Sequence, residues 1–317
     1  MKRRLMLRRR LRRGNRGVAA VVGTLLALLV FLSIFGIFVT EYVPLWMTDN
    51  EEAFSNTIAS QFGAIKQTMD TLYVSGKTNF AVANPVAMAS NGVPVFAQPT
   101  EGVLTFTQAS ALYTNVTFRL GGSTGWFKQN FSSGTVRDQL GDRYYVPMAY
   151  SIEGDSVVQT QTPNQQLVLF QPSIIANYSG AYEGPRTSLF MTLFSIVGNS
   201  SSTSTASTGV AEVYTTYLSS QSYSGAFRTP VFMNFSTYNP CAWSTSWNHT
   251  SISLNNSGYS SAPNVHPLPS SIHYPLGACS SIPPSTPLPI RLYFPPVATF
   301  VLTVVTFQVN VGVGNPT

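Results

Sequence analysis

The hydrophobic pattern divides the chain into three stretches. Residues 18–39 are apolar with no charged position. As a helix this run is about 33 Å long at 1.5 Å per residue, enough to cross a hydrocarbon core of about 30 Å. Tyr42 and Trp46 follow it, as an interfacial aromatic belt would, and Pro44 between them predicts a kink or restart. Next, Phe54, Ile58, Phe62, Ile65, Met69 and Leu72 recur at spacings of 4, 4, 3, 4 and 3. That is the single apolar stripe of an amphipathic helix, with Asp49, Glu51 and Glu52 near its start, where the helix dipole favours negative charge.

Beyond residue 75 no second helical period occurs. The chain becomes rich in Ser, Thr, Tyr, Val and Phe, with turn residues at short intervals. Residues 102–106, 157–160, 166–170, 210–214 and 304–309 read as short strands. The apolar run 297–311 is too short for a membrane helix. Thr299, Thr303, Thr306, Gln308 and Asn310 also interrupt it, so it reads as a terminal core strand. The Ser/Thr-rich residues 198–209 read as a flexible hairpin loop. The expected fold is α+β by architecture: one long N-terminal membrane and amphipathic helix, then an all-β, sandwich-like extracellular body. The expected segments are a basic leader (1–17), a membrane helix (18–39) and its amphipathic continuation (40–74). Two β domains follow, 75–180 and 181–317, the second carrying a Pro-rich insertion at 237–290.

Charge adds direction to this pattern. The formal net charge is +6, yet nine of the 18 Lys and Arg residues precede residue 18. The remaining nine face twelve Asp and Glu, so the body gives no argument for nucleic-acid binding. A basic N-terminal flank, with Lys66 as the next basic residue, predicts a cytoplasmic N-terminus and a body outside. A secretory signal peptide has a shorter apolar region, roughly 7 to 15 residues, and a small-x-small cleavage site that residues 40–46 lack.

Arg16-Gly17 followed by Val18-Ala19-Ala20-Val21-Val22-Gly23 resembles the class III signal of archaeal type IV pilins. The resemblance implies cleavage by a prepilin peptidase between Gly17 and Val18, with Arg16 and Gly17 recognised; Arg13-Gly14 is a second candidate. Bacterial pilins carry glutamate at the fifth mature position, where this chain has Val22, a departure that archaeal members share. Residues 43–70 are similar to the segment after the membrane helix in pilin-like archaeal surface proteins. Residues 91–96 with 102–106 resemble that group's first hairpin, and 143–146 with 153–158 its next pair of strands. The implied function is a subunit or minor component of a pilus-like filament, with a role in adhesion or surface structure. Its partners would be membrane lipid, prepilin peptidase, the pilus assembly machinery and other pilin-like subunits. The alternative is a non-polymerising membrane-anchored adhesion or binding protein.

Candidate chemistry is sparse. No nucleotide-binding glycine loop, Gly-x-Ser-x-Gly elbow or His-Glu-x-x-His occurs, so no enzymatic activity and no cofactor or metal are expected. His249, His266 and His273 lie in an irregular region, and Glu153 with Asp155, like Asp138 with Asp142, reads as a turn. Cys241 and Cys279 are the only cysteines, and an outside compartment favours a bridge between them over two buried thiols. Closing a loop of that length stabilises by about 4 kcal/mol. Seven Asn-x-Ser/Thr sequons, at Asn115, Asn130, Asn177, Asn199, Asn234, Asn248 and Asn255, fit a glycosylated surface protein. The low charge of the body is compatible with an acidic environment.

Overall fold

A helical rod runs from Lys2 to Ser75 in three parts: helix α1 (Lys2–Ile37), a π-helical turn (Phe38–Tyr42) and helix α2 (Val43–Ser75). The structure is a computed structural model; it describes residues 2–118, 127–161, 165–178, 187–198, 202–227, 231–243, 245–246, 288–294 and 297–312. Pro44 does not break the rod. Proline has no N–H to offer the Thr40 carbonyl, which would leave one rung of an α-helix empty. The chain widens by one residue ahead of it instead, and the Val43 N–H donates to the Phe38 carbonyl. Ile37, Tyr42 and Val43 all keep right-handed helical dihedrals. The kink expected at Pro44 is thus absorbed by a π-turn. At the far end Gly76 stops the rod at φ +63°, its N–H donating to Leu72 and Tyr73 carbonyls at 3.1 Å.

Thirteen described strands form two sheets around α2. The first has the order β1 (Ala81–Ala87), β10 (Val210–Phe227), β13 (Val297–Gly312), β8 (Thr187–Val197) and β7 (Ile174–Tyr178). Only its β13–β8 pair is parallel. The second runs β12 (Leu288–Phe294), β11 (Val231–Thr237), β2 (Gly102–Phe118), β3 (Phe127–Leu140), β4 (Met148–Glu153), β5 (Ser156–Gln161) and β6 (Gln165–Phe170). Strand β2 changes neighbour along its length. Its first half pairs with β9 (Ser202–Ser207) and its second half with β11. Strands from both sides of the boundary expected near residues 179–180 share each sheet: β7 pairs with β8, and β2 with β9 and β11.

All five segments expected as strands lie within β2, β5, β6, β10 and β13. Four other expectations are corrected. Residues 91–96 form a turn rather than a strand, closed by the isolated bridges Ala89–Glu101 and Val93–Ala97. Residues 143–145 are a bend, because their N–H groups are taken by a carboxylate from α2 instead of a ladder partner. The Ser/Thr-rich run contains β9, since β2 offers it an open edge and threonine suits an extended chain. Asp138 sits inside β3, so the turn begins only at residue 141.

The apolar stripe of α2 is the centre of the core. Phe54, Ile58, Phe62, Ile65, Met69 and Leu72 are all buried, in one cluster with side chains of both sheets. Leu104 and Phe106 of β2, Tyr150 and Ile152 of β4, and Phe194 of β8 meet the helix there, with Phe307 of β13. Each such side chain contributes about 1.5–3 kcal/mol relative to exposure. Strand β13 lies between β10 and β8 at the middle of its sheet, which explains its nearly continuous apolar sequence.

Candidate membrane-spanning helix and its junction with the body

Residues 18–34 project beyond the body with every side chain exposed. Val18, Leu25, Phe31 and Ile34 are 65%, 60%, 61% and 64% exposed, and the most apolar 18-residue window of the rod is 0% buried. Water is a poor solvent for such a surface, whereas lipid or other helices suit it. By length and composition this is the one described helix able to cross a membrane. Its few polar side chains are satisfied within the helix, as hydrocarbon requires. Thr24 donates to the Val21 carbonyl at 2.9 Å, Ser33 to Leu29 at 2.8 Å and Thr40 to Gly36 at 2.9 Å. Gly23 and Gly36 have open space where a Cβ would stand, so nothing in the single chain demands glycine at either position.

Aromatic rings mark the junction. Phe38 lies 5.9 Å from Tyr42 and 5.5 Å from Trp46 between ring centroids. The turn at 91–97 comes up against the same place: Phe96 is 6.0 Å from Phe35 and 5.6 Å from Phe38. Val43, Met47 and Val93 form a small separate core beneath it, flanked by Phe38 and Ala97.

Above the junction the body is fastened to α2 by buried polar groups. Glu51 is fully buried and its carboxylate accepts the backbone N–H groups of Arg143, Tyr144 and Tyr145 at 3.1, 2.8 and 2.7 Å. Ser55 and Tyr150 share a hydrogen bond of 2.8 Å. Further up, the Lys66 ammonium sits 3.0 Å from both Asp155 and Asp70 and 5.6 Å above the Phe194 ring. Burial works against that ammonium, but the two carboxylates outweigh it and raise its pKa above the usual lysine value. Asp155, wholly buried, is pushed up to about 6 by burial, offset in part by Lys66 and by the Ser173 N–H at 2.7 Å.

The β4–β5 turn is a hub for two attachments. Gly154, at φ +57°, lets Glu153 and Asp155 leave it in different directions. Asp155 reaches α2, while Glu153 accepts Thr237 Oγ1 and Asn239 Nδ2 at 2.6 Å each and Trp243 Nε1 at 3.3 Å. Burial raises the Glu153 pKa against those three donors. The start of the Pro-rich segment is thereby pinned to the turn. Nearby, Asp138 and Asp142 are each raised to about 7, Asp138 by burial and then by Asp142, Asp142 by burial and then by Glu51. Neither Asp138 carboxylate oxygen has a hydrogen-bond partner.

The other sequence-derived candidates are dispersed. Arg16 and Gly17 lie within α1, which continues into Val18. Cys241 is buried in the helical turn at 240–243 and no cysteine among the described residues is a free thiol; Cys279 lies outside them. Asn115, Asn130 and Asn234 occupy one cross-strand row over β3, β2 and β11, and Asn177 is exposed on β7. Asn199, Asn248 and Asn255 lie outside the described residues, as do His249, His266 and His273. No cluster of three or more potential metal ligands occurs among the described residues.

Sequence reasoning missed the Glu51 and Lys66 attachments, though a signal was present. Both residues fall on the apolar stripe itself, Glu51 three before Phe54 and Lys66 four after Phe62, where a charge must find a buried partner. No protein-family model, no curated protein and no solved structure matches this chain.

Proposed function

We propose that this chain is a pilin-like, membrane-inserted surface subunit, cleaved after Gly17 and assembled with other subunits through residues 18–39, without catalytic activity. The observation that carries the reading is the division of labour along one rod. Its outer part is the core of the β body and its inner part is bare on every face. Such a rod serves lateral packing as well as lipid solubility. The small residues Ala20, Gly23 and Ala27, at spacings of 3 and 4, give neighbouring helices a place to approach closely. The basic leader places the body outside, where a Cys241–Cys279 bridge and glycans at exposed sequons would persist. The Arg16-Gly17 resemblance to archaeal class III signals supports the same assignment.

Gly23→Leu tests it. A Cβ at Gly23 meets nothing within 4 Å, so the isolated chain accepts the substitution. A helix that only anchors keeps full surface display with leucine there. A packing helix loses incorporation into sheared filaments while display in the membrane persists. Unchanged filament content rejects the assembly reading in favour of a single-anchor adhesion protein.

A further inference from the structure

We infer that the turn at residues 91–97 is a second membrane-contacting element, whose tip at Val95 and Phe96 enters the acyl region of the leaflet next to the body. The inference rests on residues 18–39 spanning a bilayer. The first support is depth. Phe96 packs on Phe35 at 6.0 Å, and Phe35 stands four residues before Val39, the end of the apolar run. Four residues of helix are about 6 Å, so the tip reaches roughly that far below the edge of the span. An element at this level beside the helix faces lipid on its outer side.

The second support is the choice of residue. Val93, Pro94, Val95 and Phe96 make a tight turn in which the Phe96 N–H donates to the Val93 carbonyl at 3.0 Å. Pro94 takes the position proline favours, and Val95 follows at φ +72°, the position that normally belongs to glycine or asparagine. A β-branched side chain there is sterically costly. Asn79, the other described non-glycine residue at positive φ, is a type that tolerates it. Packing within the body does not account for the valine either, because Val95 is 101% exposed. A water-facing turn would gain from Gly or Asn at this position, whereas contact with acyl chains accounts for an exposed valine.

The third support is charge. The chain has no Asp, Glu, Lys or Arg from residue 78 to residue 100, and the tip itself reads Val-Pro-Val-Phe. Lowering it into hydrocarbon therefore desolvates no ion. The rings of Phe38, Tyr42 and Trp46 stand on the helix at the adjoining level, as interfacial anchors do.

The test places a photoreactive side chain at the tip of the full-length protein reconstituted in phosphatidylglycerol vesicles. Val95→benzoylphenylalanine is compared with Leu28→benzoylphenylalanine in the span. After illumination, lipid adducts from both positions are the expected result, with yields at 95 within about threefold of those at 28. Lipid adducts at 28 with none at 95 overturn the inference while leaving the span intact. Cross-links from 95 to a second copy of the chain, without lipid adducts, also overturn it and make the tip a subunit contact. Absence of lipid adducts at both positions removes the spanning premise and the inference with it.

Discussion

The Glu51 carboxylate accepts the Tyr145 backbone N–H at 2.7 Å, joining residues 94 apart in sequence. Tyr144 and Arg143 donate to the same carboxylate, so one helical side chain holds a whole bend in place. Glu51→Ala leaves three N–H groups without that acceptor. Hydrogen bonds to a charged group are worth about 1.5–3 kcal/mol, and partial access of water to the bend limits the total. We expect a loss of about 2–3 kcal/mol in denaturant unfolding, and a smaller loss for Glu51→Gln, which keeps one acceptor oxygen. An unchanged midpoint for the alanine variant would show that the bend does not depend on the helix.

Lys66 is the second fastening. Lys66→Met keeps most of the side-chain volume but leaves Asp155 buried against an uncharged neighbour. Removing one partner of a buried pair costs about 3–5 kcal/mol, because the other charge stays desolvated. Lys66→Met with Asp155→Asn should recover much of that loss, since asparagine can still accept the Ser173 N–H. The comparison is a double-mutant cycle by chemical denaturation. Additive losses would show that the two residues do not act as a pair.

Stability should increase in mild acid. Burial raises Asp138 and Asp142 to about 7 and Asp155 to about 6, against an ordinary value of 3.8 in the unfolded chain. The folded protein therefore binds more protons than the unfolded one between about pH 4 and pH 7. These groups destabilise the fold most above pH 7, and their penalty fades as pH falls toward about 4. Thermal unfolding in detergent should give a higher midpoint at pH 5 than at pH 8, and Asp138→Asn should narrow the gap. A midpoint that is higher at pH 8 would reverse the assignment.

Cys241 and Cys279 should be protected from iodoacetamide in the unfolded, unreduced protein and labelled only after dithiothreitol. The loop they would close has a predicted entropic worth of about 4 kcal/mol, so reduction should also lower the thermal midpoint. Labelling of either cysteine without reductant would reject the bridge.

The sequence was most readable where a period reports burial directly. The spacing of Phe54 through Leu72 identified the buried face of α2 residue by residue, because only one face of a helix can enter a core. The uncharged run before it and the apolar run of β13 were readable for the same reason. Prediction failed where a distant partner decides the backbone. Arg143, Tyr144 and Tyr145 have the composition of a strand, and only Glu51, far away in the chain, makes them a bend. Val93 to Phe96 also looks extended by composition, but Pro94 and the contact with Phe38 turn it. Ser202 to Ser207 became a strand because β2 had an edge to fill, a fact that no local composition contains.

The placement of β13 has a consequence for biogenesis. The strand at the centre of the first sheet is the last of the described strands to leave the ribosome, and its neighbours β10 and β8 are hydrogen-bonded into one sheet only through it. Until residues 297–312 are in place, β1 with β10 and β7 with β8 are separate parts of this sheet, each with an open edge. The helix that fills the core precedes every described strand in the chain and is made before its cover. Closure of this sheet therefore waits for β13 and is slow, as contacts of such long sequence separation dictate. A chain stalled before residue 297 would present two unpaired sheet edges and a core lacking the side chains of β13, features that proteases and chaperones recognise.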